Sequence, residues 1–383
     1  MRVAFCARRS RLASGVAHSK LPGRAGAGGP APIRSRQIDL GGTLRNILGR
    51  TCSTPLKTLW RPAWLREHPQ AWAPGTLDRD ALHAASRALA ANEGFEQRAS
   101  HFARNWLRVQ AEHPGLRSVF RNTPRYLLLI ASAVMHHRRD PADPLSGVTP
   151  SRLAQFFAHA VRAHLHVSAS QLKAALAHAR LHGLLQPAAG RTQVTDARFR
   201  PLEPTALLDG ILRQWIAGFL RACEGDEALP LPAPVDAMIA TPGLVGEMFG
   251  YRLAALEHDR FILWEDFAQP LAWVLRHDHG YRVFLQMTEA MQALPDGTAL
   301  VPITAQEISR RAAVSRGTVR NLLADAQAHG WFVEPAPAGA RRLAPKTLQV
   351  TLQWTALELV WMHGLACAAW ARMQAAPHTA AQR

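Results

Sequence analysis

From Thr76 onward, apolar positions recur at three- and four-residue steps: Leu77, Leu82, Ala85 and Leu89, then Phe95, Phe102, Trp106 and Val109. This is the period of helices with one buried face. Pro114-Gly115 breaks the run, and Tyr126–His137 reads as a compact apolar helix before the loop DPADPLSG. Thr149-Pro150 opens another helix, with threonine as cap and proline at the first helical position. In the second half, Glu247–His258, Phe261–Arg276 and Tyr281–Leu294 carry the same period. Long helices bearing tryptophan begin near Thr205 and Thr347 and hold Trp215 and Trp354. With much alanine and leucine and few β-branched runs, the pattern predicts a mainly α protein.

The best-specified stretch is Ile303–Phe332. Thr304 and Glu307 predict a Thr-x-x-Glu capping box, with Ile308 and Ala312 facing inward. Ala313-Val314 makes a tight turn. Ser315 caps a second helix whose apolar side is Val319, Leu322, Leu323 and Ala326. Gly330 ends that helix and Trp331-Phe332-Val333 starts an extended segment, so the stretch predicts a helix-turn-helix followed by a strand. A second copy lies 147 residues earlier. Val167–Leu185 matches Val314–Phe332 at seven of nineteen positions, among them Ser168/Ser315, Leu176/Leu323 and Gly183/Gly330, with the apolar positions in phase. This predicts an internal repeat. Ser168 and Gln171 form a Ser-x-x-Gln capping box in the earlier copy. The helix before its turn is longer than its counterpart, which predicts a distorted turn.

The exposed start of a second helix in such a unit is the part that enters a DNA major groove. In the later copy this places Ser315, Arg316, Thr318, Arg320 and Asn321 at bases or phosphates. In the earlier copy it places Ser168, Ser170, Gln171 and Lys173 there. A solvated helical hairpin, or a duplicate kept for packing, is the competing reading. Each copy is followed by a segment that reads as a β-hairpin wing with a basic tip. In the later one, Trp331–Val333 and Arg342-Leu343 flank Ala338-Gly339-Ala340, with Arg341 and Arg342 near the tip. In the earlier one, Arg191 and the run TDARFRPLEPT, with Arg198 and Arg200, hold the same place. Such arginines reach a minor groove or a phosphate, unless the hairpin is a plain polar turn.

Asp196-x-Arg198, shortly before Pro204-Thr205 and a long amphipathic helix, resembles the wing of MarR-type winged-helix transcription regulators. The resemblance implies that Arg198 contacts DNA, that Asp196 orients it, and that Ser168–Arg180 and Ser315–His329 are recognition helices. It covers about 120 residues per copy. The chain departs from the family in carrying two units, and its second wing lacks the Asp-x-Arg pair. The implied architecture is two winged helix-turn-helix domains in tandem with long flanking helices, in a pseudo-two-fold arrangement. The expected organisation is a basic arm at 1–75, a first repeat at 76–224, a linker at 225–246 marked by prolines and acids, and a second repeat at 247–383.

Composition adds less. Of a formal net charge of +17, residues 1–66 supply +12, with thirteen Lys or Arg and Asp39 as their one acid, which leaves +5 for the rest. That arm reads as a solvated tail, upstream read-through, a DNA-tracking segment or a transit-type signal. Cys6, Cys52, Cys223 and Cys367 are isolated, which fits a reducing cytoplasm rather than a disulfide or zinc framework. Tyr126–Met135 is too short to span a bilayer. Leu357–Met373 is interrupted by Glu358, His363 and Arg372, so no membrane partner is expected. His164-x-His166, His277-x-His279 and His136-His137 lack further ligands at metal spacing. No cofactor, metal or catalysis is expected. Trp264, Phe267, Trp273, Tyr281 and Phe284 form either core or a small-ligand pocket.

The expected partner is double-stranded DNA, bound by a monomeric pseudo-dimer or a homodimer, with room for a small-molecule effector. The expected function is a sequence-specific transcriptional regulator. A plasmid- or phage-type replication initiator with tandem winged helices and a winged-helix interaction scaffold are the alternatives. An enzyme is the weakest of the readings.

Overall fold

The computed structural model describes residues 79–140, 143, 146–160, 167–188, 201–258, 270, 271, 274 and 277–380. All lie in the compact unit formed by residues 61–383. The described elements are mainly helical. They run α1 (Arg79–Ala90), α2 (Phe95–Glu112), α3 (Pro114–Val119), α4 (Thr123–His137), α5 (Pro150–Ala160), α6 (Ala169–Leu181), β1 (Leu185–Pro187), β2 (Leu202–Pro204) and α7 (Ala206–Arg221). They continue with α8 (Val235–Ala240), α9 (Leu244–His258), α10 (Gly280–Ala290), β3 (Gln292–Ala293), β4 (Ala299–Val301), α11 (Ala305–Ala312), α12 (Arg316–Ala328), β5 (Arg341–Leu343) and α13 (Pro345–Ala380).

The helices pack across the two halves in reciprocal pairs. α1 lies on α13, and α8 lies on α7. α2 packs on α10 of the second half, and α9 packs on α4 of the first. Within each half, α2 meets α7 and α9 meets α13. Exchanging the halves therefore maps each of these contacts onto another. Local sequence explains one pair: Gly246 and Gly250, one turn apart on α9, admit the end of α4. A Cβ at Gly246 would lie 2.5 Å from His137 Cγ, and one at Gly250 would lie 2.5 Å from Arg138 Nη2. Glu247 between them accepts from His137 Nε2 at 3.3 Å and Arg138 Nη2 at 3.3 Å, with Arg372 Nη1 of α13 at 3.5 Å. Burial alone would raise that carboxyl. The His137 hydrogen bond and the Arg138 and Arg372 charges outweigh burial and bring it down to about 2.

Trp106, Trp215 and Phe249 join the halves in one core: Trp106 meets Trp215 edge-on at 5.9 Å, and Trp215 stacks on Phe249 at 5.5 Å. The loops that precede α4 and α10 also meet. His279 N–H donates to Arg121 O at 2.7 Å, and Asn122 Nδ2 donates to Asp278 Oδ1 at 2.9 Å.

Two expectations change. The helix expected over Tyr281–Leu294 stops at Ala290, because Gln292 and Ala293 pair with Leu300 and Ala299 around a turn in which Leu294 receives Gly297 N–H. The expected linker is packed rather than loose: Leu229, Val235, Met238, Leu244 and Val245 are buried, and the segment contains α8. Its prolines shape a folded connection.

Candidate nucleic-acid interface

The two expected recognition helices have the same length and the same edges. α6 and α12 each have thirteen residues, and their bounds differ by the sequence offset of 147. Ser168 Oγ accepts from Gln171 N–H at 3.2 Å, and Ser315 Oγ accepts from Thr318 N–H at 3.1 Å. The buried sets correspond one to one: Leu172, Ala175, Leu176 and Ala179 against Val319, Leu322, Leu323 and Ala326. Gly183 and Gly330 follow the helices at φ 65° and 72°, a left-handed conformation that glycine adopts without strain. Leu184 N–H then donates to Ala179 O at 2.9 Å, and Trp331 N–H donates to Ala326 O at 3.0 Å. The strand pairings also match. β1 pairs with β2, which meets Val148 just before α5; Phe332 meets Leu343 of β5, which pairs with β4 just before α11.

The caps differ in detail. Ser168 and Gln171 complete their box, with Ser168 N–H donating to Gln171 Oε1 at 2.8 Å. Thr304 makes only half of the expected one. Its hydroxyl accepts from Glu307 N–H at 3.1 Å, but the Glu307 carboxylate turns away to Arg310 and Arg311, at 2.7 and 2.6 Å. Charge-assisted bonds to two guanidiniums outcompete one neutral N–H. The hydrogen bonds from Arg310 and then Arg311 bring the Glu307 carboxyl down to about 2.

The turn between α11 and α12 is held by Ser309, which the sequence pattern did not single out. Its hydroxyl donates to Val314 O at 2.7 Å, while Val314 N–H returns to Ser309 O at 3.1 Å. Ala313 between them sits at φ 50°.

On α12, Ser315, Arg316, Arg320 and Asn321 are exposed and Thr318 is half-buried; on α6, Ser170, Gln171 and Lys173 are exposed and Ser168 is half-buried. Lys173 and Arg320 occupy equivalent positions, so each helix presents a cation at the same register. Arg316, which has Ala169 as its counterpart, gives α12 a second one.

The arginines expected on the wings divide. Arg341 and Arg342 directly follow the Pro337–Ala340 turn and are both in β5, opposite Val301 and Leu300, so the strand expected at Arg342-Leu343 starts one residue earlier. Arg342 is a latch: Nε donates to Thr298 Oγ1 at 2.9 Å and Nη2 pairs with Asp296, both on the β3–β4 turn. Arg341 lies 5.7 Å over the Phe332 ring. Arg191, Asp196, Arg198 and Arg200 lie outside the described residues, as do His164, His166, Trp264, Phe267 and Trp273.

Between the halves is a cavity of about 100 Å³ lined by Trp106, Tyr126, Trp215, Tyr281, Trp354 and the Arg252–Glu358 pair. Arg252 Nη2 donates to both Glu358 oxygens, at 3.1 and 3.0 Å, and its guanidinium lies 4.0 Å from the Trp361 ring centre. Trp215 Nε1 is buried there with no hydrogen-bond acceptor among the described residues. Phe284 is core, edge-on to Trp331 at 6.2 Å. Among the described residues, no three His, Cys, Asp or Glu side chains converge as a metal site, and no helix is long and apolar enough to cross a membrane. Comparison of the chain with protein families, characterised proteins and solved structures gives no match.

Proposed function

We propose that this chain is a sequence-specific DNA-binding transcriptional regulator, a tandem winged helix of MarR type that presents α6 and α12 as two recognition helices from one polypeptide. The observation that carries this reading is the detailed repetition of α6 and α12: equal length, equivalent serine caps, matching buried faces and the same strand pairing after each. A helical hairpin kept only for packing has no need of an exposed cation at the same register in both copies. Ser315, Arg316, Thr318, Arg320 and Asn321 read one half-site and Ser168, Ser170, Gln171 and Lys173 the other, with Arg341 at a flanking phosphate. Arg198 fills the minor-groove role in the first wing.

The reciprocal helix packing favours a pseudo-two-fold monomer, since each half already supplies the surface that a dimer partner would. Because the two reading helices differ in sequence, the preferred site is non-palindromic. The aromatic cavity between the halves is the place for a small-molecule effector.

Fluorescence anisotropy with random and selected duplexes over a salt series tests the reading. Affinity should fall steeply as salt rises, and the selected duplex should bind more tightly. Weak binding to every duplex with little salt dependence would sink it.

A further inference from the structure

Arg282, in the first turn of α10, is 4% exposed, yet it has no carboxylate partner among the described residues. Its guanidinium donates in three directions. Nε reaches Gln110 Oε1 on α2 at 2.6 Å, Nη1 reaches Ala312 O at the end of α11 at 3.0 Å, and Nη2 reaches Arg117 O on α3 at 2.8 Å. Two of the three acceptors are carbonyls in the last turns of helices, where unpaired C=O groups carry partial negative charge. That explains how a buried cation is held without an anion. Burial, with the Arg117 charge behind it, brings the guanidinium down to about 10, so it stays cationic at neutral pH.

A buried guanidinium is an expensive way to fill space, and an apolar side chain of similar size would pack there without desolvating a charge. What the fork adds is direction. Its planar donors hold three separate elements in one geometry, which an ammonium on a flexible stem does not do. One of those elements is the residue before the Ala313 turn, three positions ahead of the Ser315 cap of α12. The other two, Gln110 and Arg117, belong to the first half of the chain. Arg282 thus ties the base of α12 to the half that carries α6.

We propose that Arg282 is a positioning residue that fixes the α11–α12 unit against the first half. It thereby sets the separation of the two DNA-reading helices and makes the chain selective for one spacing between half-sites. This rests on the DNA-reading proposal above.

The probe is the duplex that the wild-type chain selects from a random library, together with derivatives that have base pairs inserted or deleted between the half-sites. Wild type, Arg282→Met, Arg282→Lys and Gln110→Leu are titrated against the set, with thermal unfolding recorded for each. Wild type should prefer the parental spacing by about tenfold or more, the worth of one good base contact. Both Arg282 variants should bring that ratio toward unity, and Gln110→Leu, which removes one arm, should give an intermediate value. A variant that is merely less stable weakens binding to all duplexes together and leaves the ratio intact. A folded Arg282 variant that keeps the wild-type ratio overturns the inference. Should Arg282→Met fail to fold, Arg282→Lys and Gln110→Leu decide the matter.

Hydrogen exchange on the DNA-free chain separates this idea from the reading it rests on. Arg282→Lys should speed exchange in both 110–120 and 312–318, because the fork ties the two segments. Unchanged exchange in either segment overturns the tie whatever DNA does. A wild-type chain that binds no duplex overturns the DNA reading, and the spacing role with it.

Discussion

The double substitution Arg316→Ala with Arg320→Ala tests the proposed interface most directly. Both side chains are on the exposed face of α12, and neither has an acidic partner among the described residues. Their neighbours are already engaged: Arg310 and Arg311 with Glu307, and Arg342 with Asp296. α12 therefore offers two helix cations without an acidic partner among the described residues, Arg316 and Arg320, to a polyanion. If both contact phosphates, their loss should reduce the slope of log affinity against log salt by about 1.8, at roughly 0.9 per contact. Between 50 and 200 mM salt, wild type would then lose about 12-fold more affinity than the variant on the same duplex. If they contact bases instead, the slope changes little and the loss falls on the selected duplex, at about 1–3 kcal/mol per contact. Anisotropy titrations on selected and random duplexes across that salt range separate the two cases. Arg342→Ala is the control: its guanidinium latches a turn, so the salt slope should stay at the wild-type value. Titrations of the double variant that superimpose on wild type at every salt and on both duplexes would refute the assignment of α12 as a reading helix.

Other outcomes follow from the fold itself. Glu247 has its carboxyl depressed to about 2 by His137, Arg138 and Arg372 acting against burial. Its contribution is therefore full above the unfolded value of about 4.5 and lost as pH falls toward 2, worth up to about 3 kcal/mol. Glu247→Gln should lower stability near neutrality and flatten the acid limb of urea-unfolding free energies over that window; an unaltered acid limb would contradict the network. Trp331, 1% exposed beneath α12, should cost about 3–5 kcal/mol as Trp331→Ala. Because the core is shared, calorimetry should still show one transition, and a separate early transition of the second half would speak against a joint core. Ser168→Ala removes the anchor of a complete capping box and should cost about 1–2 kcal/mol by chemical denaturation, more than Ser315→Ala, where the side chain accepts one backbone bond. Equal costs would mean that completing the box adds nothing to the worth of the cap serine.

Local signals read well where they were self-sufficient. The edges of α6 and α12 follow from a serine cap at one end and a glycine at the other, and Thr205 caps α7 by accepting from Leu208 N–H at 3.3 Å. Reading failed where partners distant in sequence decide the outcome. Gln292 and Ala293 suit a helix, but pairing with β4 makes them a strand, so tertiary context overrides propensity. Glu307 is a local exception: it fits a capping box by spacing, but Arg310 and Arg311, three and four residues on, draw its carboxylate away. Arg282 reads as one more polar residue on a helix; its acceptors Gln110 and Arg117 lie more than 150 residues away. The strand expected at Arg342-Leu343 starts one residue earlier, at Arg341, because its register is set by pairing with β4, which the sequence states weakly.

The reciprocal packing bears on why two copies share one chain. α2 buries its face partly on α10, and α9 buries its face partly on α4. A half expressed alone would expose apolar surface that its own residues do not cover, so neither α6 nor α12 belongs to an autonomous module. Tandem domains on a flexible linker gain affinity by effective concentration while leaving spacing open. A shared core instead couples the two helices rigidly, and the packed segment around α8 removes the slack that a linker would supply. Fusion also frees the copies to diverge. Lys173 and Arg320 keep the same register, while Ala169, Ser170 and Ala174 correspond to Arg316, Gly317 and Asn321 at other exposed positions. A symmetric dimer cannot make such a change in one half alone. On the proposed reading, the backbone contact is therefore common to both half-sites and the base contacts are distinct. The chain's asymmetry is then its means of fixing orientation on DNA as well as position.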